Sequence, residues 1–144
     1  MKLSSKCRYG IRAVLEIAKN YQQRPTKRKE IAASQDLDDS YLENILIDLK
    51  NKNIVAAIRG AKGGFVLKKA PEEITLLDVI QSLHGDLSPA ECLNTPSVCN
   101  RVENCVTRPI WQRMKIAQED VLKDVTIKQL LEQELIDNPW FFEI

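Results

Sequence analysis

Residues 38–67 read DDSYLENILIDLKNKNIVAAIRGAKGGFVL. Within them Leu42, Ile45, Leu46 and Leu49 recur at i, i+3, i+4 and i+7, the spacing that lines up apolar side chains on one buried stripe of a helix. Asp38 or Asp39 supplies a cap, so a helix is predicted over 40–51. Ile54 to Arg59 then reads as a strand, Gly60-Ala61-Lys62-Gly63-Gly64 as a turn and Phe65-Val66-Leu67 as a returning strand. A helix followed directly by a β-hairpin is the result. The hairpin tip carries Arg59 and Lys62 among three glycines, which sets cationic side chains on backbone able to approach another surface closely.

Upstream, Ile11, Val14, Leu15 and Ala18 predict a helix over 9–20 with Ser4 or Ser5 as cap. A short second helix is expected over 27–34, with Thr26 as its N-cap and Glu30 near its first turn. The turn Gln35-Asp36-Leu37-Asp38-Asp39 leads into the third helix, which is helix-turn-helix grammar. Downstream, a fourth helix is expected over 74–83, with Thr75 near its start. Residues 85–107, with Gly85, Pro89, Asn94, Pro96, Asn100 and Asn104, break regular structure. Ile110, Trp111, Met114, Ala117, Val121 and Leu122 predict a long amphipathic helix over 109–123, and Thr126 caps a last one. The aromatic tail, residues 138–144, is expected to dock on a neighbour. The fold class expected is mainly α, a winged helix-turn-helix with a long C-terminal helix.

The chain has 144 residues, about one domain's worth, and 44% hydrophobic content leaves a sizeable core. No stretch approaches the ~18 consecutive apolar residues of a membrane span, and the opening residues lack a secretory apolar run. A cytoplasmic protein without a membrane partner is the expectation. The net charge of +1 conceals a division. Residues 1–69 hold 15 of 21 Lys and Arg against 7 of 20 Asp and Glu, a net of +8, and the rest nets −7. A basic face that meets a polyanion, joined to an acidic remainder, follows from that segregation. No phosphate-cradling glycine loop opens a helix, and the one histidine, His84, has no nucleophile context, so neither an enzyme nor a small-molecule substrate is expected.

A helix lying in the major groove of double-stranded DNA needs short polar side chains that reach base edges. Asp39, Ser40, Tyr41, Glu43 and Asn44 fill the first turns of the third helix on the side not taken by its apolar stripe. Asn44 suits adenine, Glu43 suits the amino group of cytosine, and Ser40 and Tyr41 suit a phosphate or a base. Arg59 and Lys62 suit the minor groove. Lys2, Lys6, Arg8, Lys27, Arg28 and Lys29 are candidates for phosphate contacts, which give affinity and salt dependence.

Cys92, Cys99 and Cys105 form C-x6-C-x5-C in the irregular region. Clustered thiols in a reducing compartment more often bind metal or sense redox state than staple a fold. Paired zinc spacings are missing, and the wide gaps fit an iron–sulfur cluster better. A thiol redox switch, zinc and a metal-free loop stay open beside it. Cys7, at the start of the first helix, reads equally as a small residue tucked beneath that helix.

Met1-Lys2-Leu3-Ser4-Ser5-Lys6-Cys7-Arg8-Tyr9-Gly10, Glu30-Ile31-Ala32, Ser40-Tyr41-Leu42-Glu43, residues 59–65 and residues 74–80 together resemble the Rrf-two family of bacterial transcription regulators. The likeness covers about residues 1–135. It implies a homodimer in which the helix near 109–123 pairs with its twofold mate and two recognition helices read a pseudo-palindromic operator. Residues 1–70 would form the winged helix-turn-helix DNA-binding region. Residues 71–144 would form a helical dimerisation region with a cysteine sensor loop at 88–107. The three loop cysteines match the IscR/NsrR-like, cluster-binding branch, which implies a two-iron or four-iron cluster, whereas CymR-like members lack them. Arg108 stands where the IscR-like branch has a ligating histidine, and Arg8 where the NsrR-like branch has an acidic residue. The fourth position is then expected to be filled by Cys7 of the partner subunit or left open to a small ligand. An alternative of another class is a winged-helix interaction module governed by a thiol switch or by docking a metabolic enzyme, without a cluster.

Overall fold

A computed structural model describes residues 2–137. The elements in order are α1 (Ser5–Lys19), α2 (Arg28–Gln35), α3 (Asp39–Asn51), β1 (Val55–Ile58), β2 (Gly64–Leu67), α4 (Leu76–His84), α5 (Arg108–Lys123) and α6 (Ile127–Asp137). The fold is mainly α, with a small β-hairpin wing and a long helix near the C-terminus, as the pattern predicts. Single 3-10 turns occupy Pro71–Glu73 and, within the loop before α5, Glu91–Leu93, Pro96–Val98 and Val102–Asn104. The aromatic tail at 138–144, expected to dock on a neighbour, lies outside the described residues.

Local chemistry sets most helix starts. Ser4 Oγ accepts from the Cys7 N–H at 3.2 Å and opens α1 at Ser5, four residues ahead of the expected start at 9. Asp38, not Asp39, caps α3, accepting from Tyr41 N–H at 3.0 Å. Thr75 and Asp78 cap α4 reciprocally, at 2.9 and 3.1 Å. Thr126 and Gln129 do the same ahead of α6, at 2.9 and 3.2 Å.

Thr26 is a correction. It is not the cap of α2, which begins at Arg28 and whose Glu30 carboxylate reaches back to the Lys27 N–H at 2.8 Å. Thr26 is buried and exchanges both backbone hydrogen bonds with Phe65, at 2.9 and 2.8 Å, adding a third antiparallel partner beside the hairpin. Its hydroxyl accepts from Asn20 Nδ2 at 2.9 Å, so the one fully buried polar side chain among the described residues is satisfied.

The hairpin pairs Val55 with Leu67, Ala56 with Val66, Ala57 with Phe65 and Ile58 with Gly64. Close approach dictates two of its glycines. A Cβ on Gly63 would fall 2.0 Å from Ile58 O, and one on Gly64 would fall 2.6 Å from Thr26 O. Neither backbone oxygen has room to retreat.

The core lies between α1 and α3. Ala13, Val14 and Ile17 meet Leu42, Ile45, Leu46 and Leu49, with Ile31, Val55, Val79 and Ile127 closing the sides. Burying each large aliphatic side chain contributes ~1.5–3 kcal/mol. Residues from both sides of position 70 share this core, because Ile127 N–H donates to Ile74 O at 2.9 Å and carries α6 back onto α1. In contrast, α5 contains no buried residue, and Ile110, Met114 and Val121 stand exposed along one face of it. No described helix is long and apolar enough to cross a membrane.

Candidate nucleic-acid interface and cysteine loop

Because Leu42, Ile45, Leu46 and Leu49 face inward, helical geometry turns Asp39, Ser40, Glu43 and Asn44 outward, and all four are exposed. The Asn44 side chain makes no hydrogen bond among the described residues and offers both its amide donor and acceptor. Ser40 Oγ donates to Asp38 Oδ2 at 2.5 Å, a bond that holds the Asp38 carboxyl below its usual range together with the Tyr41 N–H. Tyr41 is half-buried, edge-on to Tyr9 with ring centroids 6.0 Å apart. Arg12 stacks on Tyr9 at 5.4 Å and bonds Gln35 Oε1 and Gln35 O, each at 2.6 Å. Tyr41 is thereby anchored to α1 and the end of α2.

Arg28, expected at a phosphate, has protein partners instead. Its Nε lies 2.9 Å from Asp39 Oδ1 and its Nη1 3.2 Å from Glu43 Oε1. The hydrogen bond that Arg28 donates to Asp39 is the main reason the guanidinium is held even more firmly protonated than usual. Lys6 is paired with Asp48. Lys2, Lys27 and Lys29 are exposed or half-exposed and have no ion-pair partner among the described residues. Arg59 and Lys62 at the wing tip are likewise exposed and unpaired among them. A cleft of about 500 Å³ between the wing and the start of α2 is lined by Lys27 and Lys62 together with Arg24 and Glu30. Sequence reasoning missed Ile47, which is 48% exposed one turn beyond Asn44 on the same outward stripe. Its spacing from Ser40 and Asn44 was the available signal.

The three loop cysteines sit on the irregular segment ahead of α5. Cys99 is exposed, while Cys92 and Cys105 are half-buried. Cys105 Sγ lies 3.2 Å from Thr107 Oγ1. That hydroxyl and the backbone N–H groups of Thr107 and Arg108 favour the thiolate and lower the thiol's pKa. Cys7 is elsewhere. It is fully buried under α1 with Ile80 and Leu87, flanked by Leu3, Leu77 and Leu122, which is the small-residue alternative for this position. His84 is exposed at the end of α4.

The loop as folded here does not draw its cysteines together into a ligand set for an iron–sulfur cluster. Among the described residues no three His, Cys, Asp or Glu side chains gather to hold a metal ion. Within the loop, Arg108 donates from Nη2 to Cys92 O at 3.4 Å. A guanidinium has no lone pair to give a metal. A second fastening joins loop to helix: Asp86 accepts from Ser88 N–H at 2.8 Å, from Asn94 Nδ2 and from Lys115 at 3.3 Å, and Lys115 also bonds Asn94 Oδ1 at 3.3 Å. Burial alone would raise the Asp86 pKa, but these donors outweigh it and hold the carboxyl well below the usual carboxylate range. The folded state therefore gains from an ionised Asp86 above the ordinary carboxylate pKa, and the fastening loosens as pH falls below it.

Residues 3–133 match the family described as "Rrf2: Iron-dependent Transcriptional regulator". The chain is 38% identical over 130 residues to the HTH-type transcriptional regulator CymR of Bacillus subtilis, covering 90% of this chain and 89% of that one. It is 30% identical over 138 residues to the HTH-type transcriptional regulator IscR of Pectobacterium atrosepticum, covering 96% and 84%. Among solved structures, that of CymR, titled the global cysteine regulator of B. subtilis, superposes with a TM-score of 0.76 at 36% identity, covering 92% and 98%. Overall similarity thus runs to both kinds of relative. A winged helix-turn-helix with a basic glycine-tipped wing, in a chain matched over residues 3–133 by the family model, places the chain in the Rrf2 family of transcriptional regulators.

Proposed function

We propose that this chain binds operator DNA as a homodimer, reading bases with α3 and flanking minor groove with the wing, under the control of the thiols in the 88–107 loop. The observation that carries the DNA reading is the outward stripe of α3, where Ser40 and Asn44 are exposed and the Asn44 amide has no side-chain partner among the described residues, beside a wing whose Arg59 and Lys62 have no protein anion to satisfy them among those residues. Twofold symmetry supplies the second half-site, and the exposed apolar face of α5 is the surface that supports pairing.

Control by thiols without a resident cluster is the reading favoured for the loop. Arg108 bonds the Cys92 carbonyl, Cys7 is closed off in its own chain, and Cys105 has its thiol pKa lowered by Thr107 and the backbone N–H groups at the start of α5. Chemistry at Cys105 would act on the first turn of the proposed dimer helix. A differential stability of ~1.4 kcal/mol between loop states changes operator affinity tenfold. The cluster reading is favoured by one observation, three cysteines on one accessible loop. Chain purified under argon is expected to be colourless, free of iron and acid-labile sulfide, and to lose or gain operator affinity on alkylation of the loop thiols. Stoichiometric iron and sulfide would install the cluster reading in its place.

The interface has its own expected outcome. Asn44→Ala should cost about 1–3 kcal/mol on the preferred operator and little on random duplex. Arg59→Ala should weaken both and lower the salt dependence by about one released counterion. Anisotropy titrations at several salt concentrations check both, and equal losses on the two duplexes for Asn44→Ala would remove it from base reading.

A further inference from the structure

Arg28 opens α2, and its guanidinium spans two carboxylates on the next helix. The partners, Asp39 Oδ1 at 2.9 Å and Glu43 Oε1 at 3.2 Å, are four residues apart and so lie one above the other on α3. All three side chains are partly exposed, between 34% and 52%. No other cation reaches Asp39 or Glu43 among the described residues. Ser40 and Asn44 form the adjacent stripe.

A duplex approaching this stripe brings a row of negative phosphates. Two bare carboxylates there would repel it, and a carboxylate inside the groove would accept only from the amino group of cytosine. A planar, permanently charged fork can hold two anions in fixed directions as a lysine cannot. Its position on α2 ties both carboxylates to the neighbouring helix. We propose that Arg28 is a positioning residue for base selection: by clamping Glu43 against α2 it keeps that carboxylate from reading cytosine and leaves operator choice to Ser40, Asn44 and the wing. This rests on the DNA-binding function proposed above and names what Arg28 does in it. It also reverses the expectation that Arg28 is a phosphate contact and that Glu43 reads a base.

The test is a double-mutant cycle on the full-length chain with R28Q, E43Q and the pair. A duplex is first selected from a random pool by the wild-type chain, and then varied one base at a time. R28Q is expected to lose about tenfold on the selected duplex and to gain a preference for cytosine at one position in each half-site. Both effects should vanish in the E43Q background. R28K keeps the charge without the fork, so it should retain most of the affinity yet show the same cytosine preference, which separates clamping from charge and serves if R28Q folds poorly. Equal losses for R28Q with and without E43Q, with base preference unchanged, would make Arg28 a plain phosphate contact and overturn the proposal. A wild-type chain that selects no sequence from the pool would instead overturn the DNA-binding reading itself.

Discussion

With Met114 and Val121 both replaced by glutamate, the chain is expected to stay folded, to sediment as a monomer and to lose operator affinity by about 10²- to 10⁴-fold, the range set by losing the second of two linked contacts. The monomer should tolerate the change, because α5 has no fully buried residue and these side chains are 40% and 66% exposed. They belong to one face, with Ile110 and Ala117 between and before them, and Val121 lines an apolar recess of about 340 Å³ with Leu3 and Leu122. In a twofold interface each new charge would meet an apolar mate from the partner and also face the partner's new charge, which is doubly unfavourable. Sedimentation velocity with parallel anisotropy titrations checks this. A variant that still sediments as a dimer would mean that another surface pairs the subunits.

Leu49→Ala is expected to cost about 2–5 kcal/mol of stability, the range for truncating a fully enclosed leucine. Leu49 has no solvent exposure and anchors the end of α3 against α1 and β1. Against a total of ~5–15 kcal/mol for a domain of this kind, that loss is large. Urea unfolding should show a lower midpoint with an unchanged slope. Ile47→Ala, two residues away on the exposed side, should stay within ~0.5 kcal/mol of the parent. Similar losses for both would show that α3 is rotated from the orientation on which its reading face depends.

Legibility followed distance along the chain. Each helix of the winged helix-turn-helix was visible because its evidence is local: an apolar period, a hydroxyl or carboxylate three residues ahead, a glycine where backbone crowds backbone. Ser4, Asp38, Thr75 and Thr126 all cap through bonds spanning three residues. Thr26 misled because the same residue type serves both as a cap and as a strand member, and only Phe65, 39 positions on, decides between them. The outward stripe of α3 was legible for the same reason as its inward one, yet the roles within it were not. Glu43 and Arg28 have opposite charges and either could face a nucleic acid, and nothing in their spacing of 15 residues says that they face each other.

The cysteine loop marks the same division. Three thiols, their gaps and the arginine in the histidine's place are properties of the amino-acid order, and they were enough to raise a cluster as the expectation. Whether the thiols converge depends on how a segment without regular periodicity packs against α5, and there Arg108 on the Cys92 carbonyl and Lys115 on Asp86 do the fastening. Cys7 shows it most simply: one position in a helical repeat, it is shut beneath α1 by Ile80 and Leu87, more than 70 residues away. From its sequence alone the chain specifies which segments become helices, where they start, which face of each is apolar and that one half is basic, since these are set by interactions within one or two turns. The tertiary structure alone decides which charges neutralise each other, which thiol is sealed off and which apolar face is left without a cover, because those depend on contacts that form only once distant segments are side by side.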